Sequence, residues 1–113
     1  MLTITIPFEY YAKHQWLDAP DKYKHLRDLH EHLFKCSATL EVNKKDRELS
    51  FEEVRDFLNA HICPCFDRQS TTSSCEMMAS LILDRIRKEY PNRRLSVMVS
   101  EDGGPYATAS QMV

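Results

Sequence analysis

Apolar and polar residues alternate at the start of the chain. Leu2, Ile4, Ile6, Phe8, Tyr10, Ala12 and His14 fall on one side of an extended backbone, and Thr3, Thr5, Glu9, Tyr11 and Lys13 on the other. A period of two, rich in β-branched and aromatic residues, predicts a long antiparallel strand. Pro7 falls on the polar side, which suits an edge or a bulge. Residues 15–28 are mixed and charged, contain Pro20, and read as a loop. The alternation resumes over about 30–43, with His30, His32, Phe34, Cys36, Ala38, Leu40 and Val42 sharing a face, and Asn43-Lys44-Lys45-Asp46 then makes a turn.

The period changes next. Ser50-Phe51-Glu52-Glu53 has the form of a capping box, and Phe51, Val54, Leu58 and His61 follow at helical spacing. Residues 62–72, with Cys63-Pro64-Cys65, read as a loop. Ser73-Ser74-Cys75-Glu76 is a second capping box, after which Cys75, Ala79, Ile82 and Ile86 stripe a helix of about four turns that Pro91-Asn92 ends. A third strand over about 94–101 places Leu95, Val97, Val99 and Glu101 on one face, and a short last strand lies around Tyr106–Ala109. The order strand, strand, helix, helix, strand, strand predicts an α+β fold, with a four-stranded antiparallel sheet and two helices on one face.

Composition narrows the functional classes. The chain has 113 residues, the size of one domain (1–113), and 42% are hydrophobic, enough for a small core that partner copies could extend. Fifteen basic against 17 acidic residues leave a net charge of −2 with no basic patch, which argues against nucleic acid. No apolar run approaches a membrane span, and the opening Leu2–Phe8 is too short and uncharged for a signal peptide. The four cysteines then read as reduced thiols in the cytoplasm, with Cys36 and Cys75 as small core residues. Two glycines in the whole chain leave no Gly-rich phosphate loop.

The chemistry concentrates at strand ends. His14 closes the apolar face of the first strand, while His30 and His32 open that of the second. If the two strands pair around the 15–28 loop, the three imidazoles meet, and three imidazoles with an open position is a catalytic zinc geometry. Glu101 continues an apolar strand face with a charge. Either it lies past the strand end in solvent, or it accepts N–H bonds from a planar, amidine-like heterocycle such as a pterin or guanine. His61 ends the first helix beside Cys63 and Cys65. It is either a general acid or base or a charge partner for the helix C-terminus. His61, Cys63 and Cys65 could also form a separate metal site.

This pattern resembles the 6-pyruvoyltetrahydropterin synthase and 6-carboxytetrahydropterin synthase family. The matches are Phe8-Glu9 through His14, His30-Glu31-His32, Ser73-Ser74-Cys75-Glu76 at the place of a Pro-Thr-x-Glu motif, and Val97-Met98-Val99-Ser100-Glu101. The resemblance implies the tunnelling fold, zinc on His14, His30 and His32, and Glu101 as anchor of a pterin ring. It also implies His61 as a proton relay and a homo-oligomer, trimer or hexamer, in which strands of neighbouring copies close a barrel and active sites lie between subunits. The substrate would be dihydroneopterin triphosphate or a related pterin. The chain also departs from the family: Leu26 stands where the family has its catalytic Cys, Ala60 where an Asp precedes the catalytic His, and Glu31 where the middle residue of His-Gly-His is Gly, while the spacing from Phe8 to His14 is longer than usual and the segment before His61 shorter. Cys63 or Cys65 could replace the lost thiol. Glu31 or Asp28 could instead supply a carboxylate base. The alternative is a pterin or purine binder that has lost or changed its chemistry.

Overall fold

A computed structural model describes residues 1–113. The first two strands, β1 (Leu2–His14) and β2 (His30–Val42), pair antiparallel over their full length, from Leu2 opposite Val42 to His14 opposite His30. The segment between them is more ordered than a loop, since Asp21–Arg27 winds into 3₁₀ turns. Pro7 sits where its missing N–H does no harm. Tyr11 and Lys13, two and three positions on in the same parity, direct their N–H groups away from β2, to the Asp67 carboxylate and the Gln69 carbonyl. Pro7 therefore faces the open edge.

The first helix starts at the predicted capping box. The Ser50 hydroxyl accepts the Glu53 N–H while the Glu53 carboxylate accepts the Ser50 N–H. It does not stop at His61. Helix α1 (Phe51–Phe57) runs through one wide π turn (Leu58–Ile62) into α2 (Cys63–Phe66), so Cys63-Pro64-Cys65 is helical, not a loop. Pro64 explains both the expectation and its correction. Proline has no N–H to donate and its ring collides with the carbonyl one turn back. The wide turn, closed by the Cys63 N–H on the Leu58 carbonyl, opens the ladder just ahead of it.

Three further strands and one helix complete the chain. They are β3 (Ser70–Thr71), α3 (Cys75–Glu89), β4 (Leu95–Glu101) and β5 (Tyr106–Gln111). The cap of α3 is Ser74, which accepts the Met77 N–H, one residue later than the Ser73 box predicts; Glu76 thus falls in the first turn without a reciprocal bond. The sheet has five strands in the order β3-β1-β2-β4-β5, one more than the expected four, because β3 adds a two-residue parallel pairing at Lys13 and His14. All other pairings are antiparallel.

Both helical stretches cover one face. Ile6, Phe8 and Tyr10 of β1, Phe34, Ala38 and Leu40 of β2, and Leu95, Val97 and Val99 of β4 form a single core with Val54, Leu58, Ile62, Met78, Ile82 and Ile86 from the helices. Each large aliphatic side chain buried there contributes about 1.5–3 kcal/mol. The opposite face is polar, with Thr5 and Thr39 joined through their hydroxyls at 2.9 Å. No helix is long and apolar enough to cross a membrane.

Candidate metal centre

The β1–β2 register decides where the histidines go. His14 and His30 are direct partners, and His32 follows two residues along the same face, so all three rings stand on the core side at one end of the sheet. Their ring centroids are 4.5 Å (His14–His30), 5.3 Å (His14–His32) and 5.2 Å (His30–His32) apart. One nitrogen from each lies within 4.8 Å of the others, a spacing one metal ion can bridge.

The second nitrogen of each ring is spoken for. His14 Nδ1 lies 3.2 Å from the Ser73 carbonyl, His30 Nδ1 2.9 Å from the Asp28 carbonyl, and His32 Nδ1 2.7 Å from an Asp102 carboxylate oxygen. Carbonyl and carboxylate oxygens only accept, so each Nδ1 carries the proton. With the proton on Nδ1, Nε2 is the atom left to each ring for a metal, the tautomer a metal requires. His14 Nε2 is buried and has no hydrogen-bond partner. Glu101 adds to this, with one oxygen 3.3 Å from His14 Nε2 and the other 3.6 Å from His32 Nε2. Lone pairs and a carboxylate facing one another repel unless a proton or a metal cation stands between them. The residues present fit a zinc ion, and His14, His30 and His32 would hold it. Burial, opposed mainly by the Ser73 carbonyl, lowers the pKa of His14 and keeps that ring neutral.

Asp102 has no counterpart in the sequence reading. Asp102 and Gly103 both have positive φ (55° and 81°), and the Gly104 N–H closes the turn on the Glu101 carbonyl at 2.8 Å. This is the backbone that Asp-Gly favours. It brings the Asp102 carboxylate back onto His32 and the Leu33 N–H, and those two bonds hold it below the usual carboxylate range. The Asp-Gly pair after the third predicted strand was the available signal.

The three histidines and Glu101 line a cavity of about 780 Å³. Gln15, Trp16, His25 and Leu26 line it from the segment after β1. Ser73, Ser74, Cys75 and Glu76 line it from the start of α3, and Pro105, Tyr106 and Ala107 from the start of β5. Burial, followed by the charges of Glu101 and Glu76, pushes the Cys75 thiol up to about 11, so it stays protonated near neutral pH. His25, exposed and unremarked in the sequence pattern, is the additional imidazole here.

His61, Cys63 and Cys65 do not line this cavity. The His61 ring packs against Phe57, with centroids 5.3 Å apart. Cys65 Sγ lies 3.3 Å from the His61 carbonyl and 2.8 Å from the Arg85 guanidinium, and Cys63 Sγ lies 3.8 Å from Asn59 Oδ1. Glu31 belongs to the opposite face of β2 from His30 and His32 and is exposed.

No family model matches the chain, and no curated protein matches it in sequence. Solved structures do match. A 6-pyruvoyltetrahydropterin synthase from Plasmodium vivax is similar at TM-score 0.72 and 14% identity over 100% of both chains. A variant of that enzyme with a catalytic glutamate replaced by alanine gives TM-score 0.73. The 6-pyruvoyl tetrahydropterin synthase of Caenorhabditis elegans superposes at TM-score 0.74 and 13% identity, over 97% of this chain and 95% of that one. An uncharacterised protein of Wolinella succinogenes gives 0.72 at 13% identity, over 96% and 97%. The chain has the fold of these 6-pyruvoyltetrahydropterin synthases from end to end.

Proposed function

We propose that this chain is a zinc-dependent pterin-converting lyase, acting on dihydroneopterin triphosphate or a related reduced pterin. The observation that carries the reading is the convergence of three Nε2 atoms whose Nδ1 partners are each fixed by an oxygen. The fold shared with 6-pyruvoyltetrahydropterin synthases supports it.

When bound, zinc would polarise side-chain oxygens of the ligand and acidify the adjacent C–H bonds. The chain's own residues do the rest. Glu101 accepts N–H bonds from the ring; its side chain is 40% exposed, so it is free to turn from the imidazoles to a ligand. Asp102 holds His32 in one tautomer and orientation. Proton transfer falls to groups that reach the cavity. Within one chain those include His25 and Glu76, beside the Cys75 thiol. His61, with Cys63 or Cys65, joins them from a neighbouring copy. The sheet ends on β5 at one side and is covered on β1 only at residues 13–14 at the other. Edges this open support closure of strands between copies, as a trimer or a hexamer.

A second reading has its own support. Leu26 lines the cavity where the resembled family has a thiol, and Ala60 precedes His61 in place of an acid. In that reading the chain binds a pterin or purine without converting it. Incubating zinc-loaded protein with dihydroneopterin triphosphate, and following the pterin by chromatography and fluorescence, separates the two. Conversion supports the lyase; unchanged pterin together with measurable binding rejects it in favour of the binder.

A further inference from the structure

The histidine end of the sheet carries two cavities, toward opposite edges. In sheet order this end presents Ser70 (β3), Lys13 (β1), His30 (β2), Glu101 (β4) and Tyr106 (β5). The metal cavity reaches from the histidines to Tyr106. A second cavity, of about 500 Å³, opens at the β1 edge, where Tyr11, Lys13, Glu31, Arg68, Gln69 and Ser70 line it.

The cations of this second cavity are uncommitted. Lys13 is exposed and makes no ion pair, although Glu31 stands opposite it in the β1–β2 register. Arg68 has a left-handed backbone (φ 60°), fixed by its N–H donating to the Tyr11 carbonyl, and its side chain is 89% exposed. The adjacent Asp67 is drawn elsewhere. Its Oδ1 accepts the Tyr11 N–H at 2.9 Å, and its Oδ2 stands 3.9 Å from Arg68 Nε. The Ser70 hydroxyl adds a neutral donor. An ammonium, a guanidinium and a hydroxyl around one space make a receptor for phosphate oxygens.

The open edge of β1 determines what meets this receptor. Thr3, Thr5 and Glu9 share the parity of Tyr11 and direct their backbone groups away from β2. At Tyr11 and Lys13 those groups are already taken by the chain's own Asp67, Arg68 and Gln69. A strand from another copy can therefore pair along this edge as far as Glu9. Within one chain β5 runs opposite to β1. A ring of copies keeps that sense, so a neighbour's β5 laid on this edge pairs antiparallel and brings its first residue, Tyr106, against Tyr11 and Lys13. Tyr106 lines the metal cavity of its own copy. The metal cavity of one copy then adjoins the cation cavity of the next.

We propose that the phosphate groups of a pterin ester held at one copy's metal centre are received by Lys13 and Arg68 of the neighbouring copy. This deepens the pterin reading and rests on it, and on the closure of strands between copies. The metal cavity itself receives carboxylates from its own chain, Glu76 and Glu101. Each terminal phosphate brings about −1.5 to −2 at neutral pH, so its counter-charge comes from across the interface.

The test is calorimetric titration of the zinc-loaded assembly with 7,8-dihydroneopterin triphosphate and, separately, with 7,8-dihydroneopterin. The double variant Lys13→Ala/Arg68→Ala is expected to bind the triphosphate at least about tenfold more weakly than the wild type. Its affinity for dihydroneopterin, its zinc content and its assembly mass should be unchanged. Equal triphosphate affinity in variant and wild type overturns the proposal and leaves the pterin reading standing. No heat from the wild type with either compound overturns both. Mixed rings of the double variant and His32→Ala, isolated through a different tag on each chain, test the contribution across the interface. Any ring of three that contains both chains has one interface joining an intact metal centre to intact cations, so one tight triphosphate site per ring is expected. Its absence assigns the cations to their own chain and overturns the proposal, as does a wild-type protein that is monomeric by light scattering.

Discussion

His30 and His32 on a strand, joined by His14, and Cys63 and Cys65 on the helix, joined by His61, offer comparable donor atoms, each pair two residues apart. On the strands the period of two and the β1–β2 register bring the three rings together, and separate oxygens aim each of them. On the helix the same kind of spacing leads outward. Cys65 lies one turn after His61, yet its sulfur lies against the His61 carbonyl and the Arg85 guanidinium. Close spacing therefore makes a centre only where tertiary pairing and hydrogen-bonding partners turn the side chains to one point.

The largest expected effect tests that contrast directly. His32→Ala should abolish zinc retention, measured by elemental analysis after dialysis, because two imidazoles cannot complete the site. Cys65→Ala should leave zinc at one ion per chain. Undiminished zinc in the first variant, or its loss in the second, would reverse the assignment of the two groups. Glu101→Ala should keep zinc and lose pterin binding; a fall in zinc would make Glu101 a fourth ligand instead of the ring anchor.

Much of this was legible in the sequence because it depends on periodicity. The alternation of Leu2–His14 and His30–Val42 determines which side chains share a face, and that placed the three histidines together before any coordinates. What escaped depends on backbone geometry that no period encodes. The π turn before Pro64 carried the helix four residues past Ile62, where a proline reads as a stop. The two-residue strand β3 forms only because it meets the end of β1. Asp102 acts through the left-handed turn it occupies, and His25 through the fold of a segment that looks structureless in one dimension.

Asp102 sharpens the comparison at intermediate size. Asp102→Asn keeps the shape of the side chain, but it removes the charge, and its single oxygen can accept from His32 Nδ1 or from the Leu33 N–H and not from both. A partner of this kind is worth about 10–100-fold in metal affinity. Competition with a chromophoric chelator should show a weakening in that range, with secondary structure by circular dichroism unchanged. Asn59→Ala, which removes the oxygen facing Cys63, should leave the affinity where it was. Equal effects from both would mean that stability, not aiming, sets the affinity.

The smallest effect concerns the buried thiols. Burial pushes Cys36 up to about 12 from an ordinary value of 9.0, a shift opposed by its contact with Tyr10. The folded chain keeps the Cys36 proton at a pH where the unfolded chain has lost it. Stability from this group is therefore complete below about pH 9 and declines between 9 and 12. The slope is at most about 1.4 kcal/mol per pH unit, one proton's worth. Burial also raises Tyr10, which adds a further decline beginning only above 10. Urea unfolding at a series of pH values should show Cys36→Ala making that decline shallower, and Cys75, which burial raises to about 11, accounting for what remains between 9 and 11. A Cys36→Ala curve as steep as that of the wild type from 9 to 12 would mean that Cys36 is not sealed in the core, and that the sheet face carrying the histidines opens more readily than its packing implies.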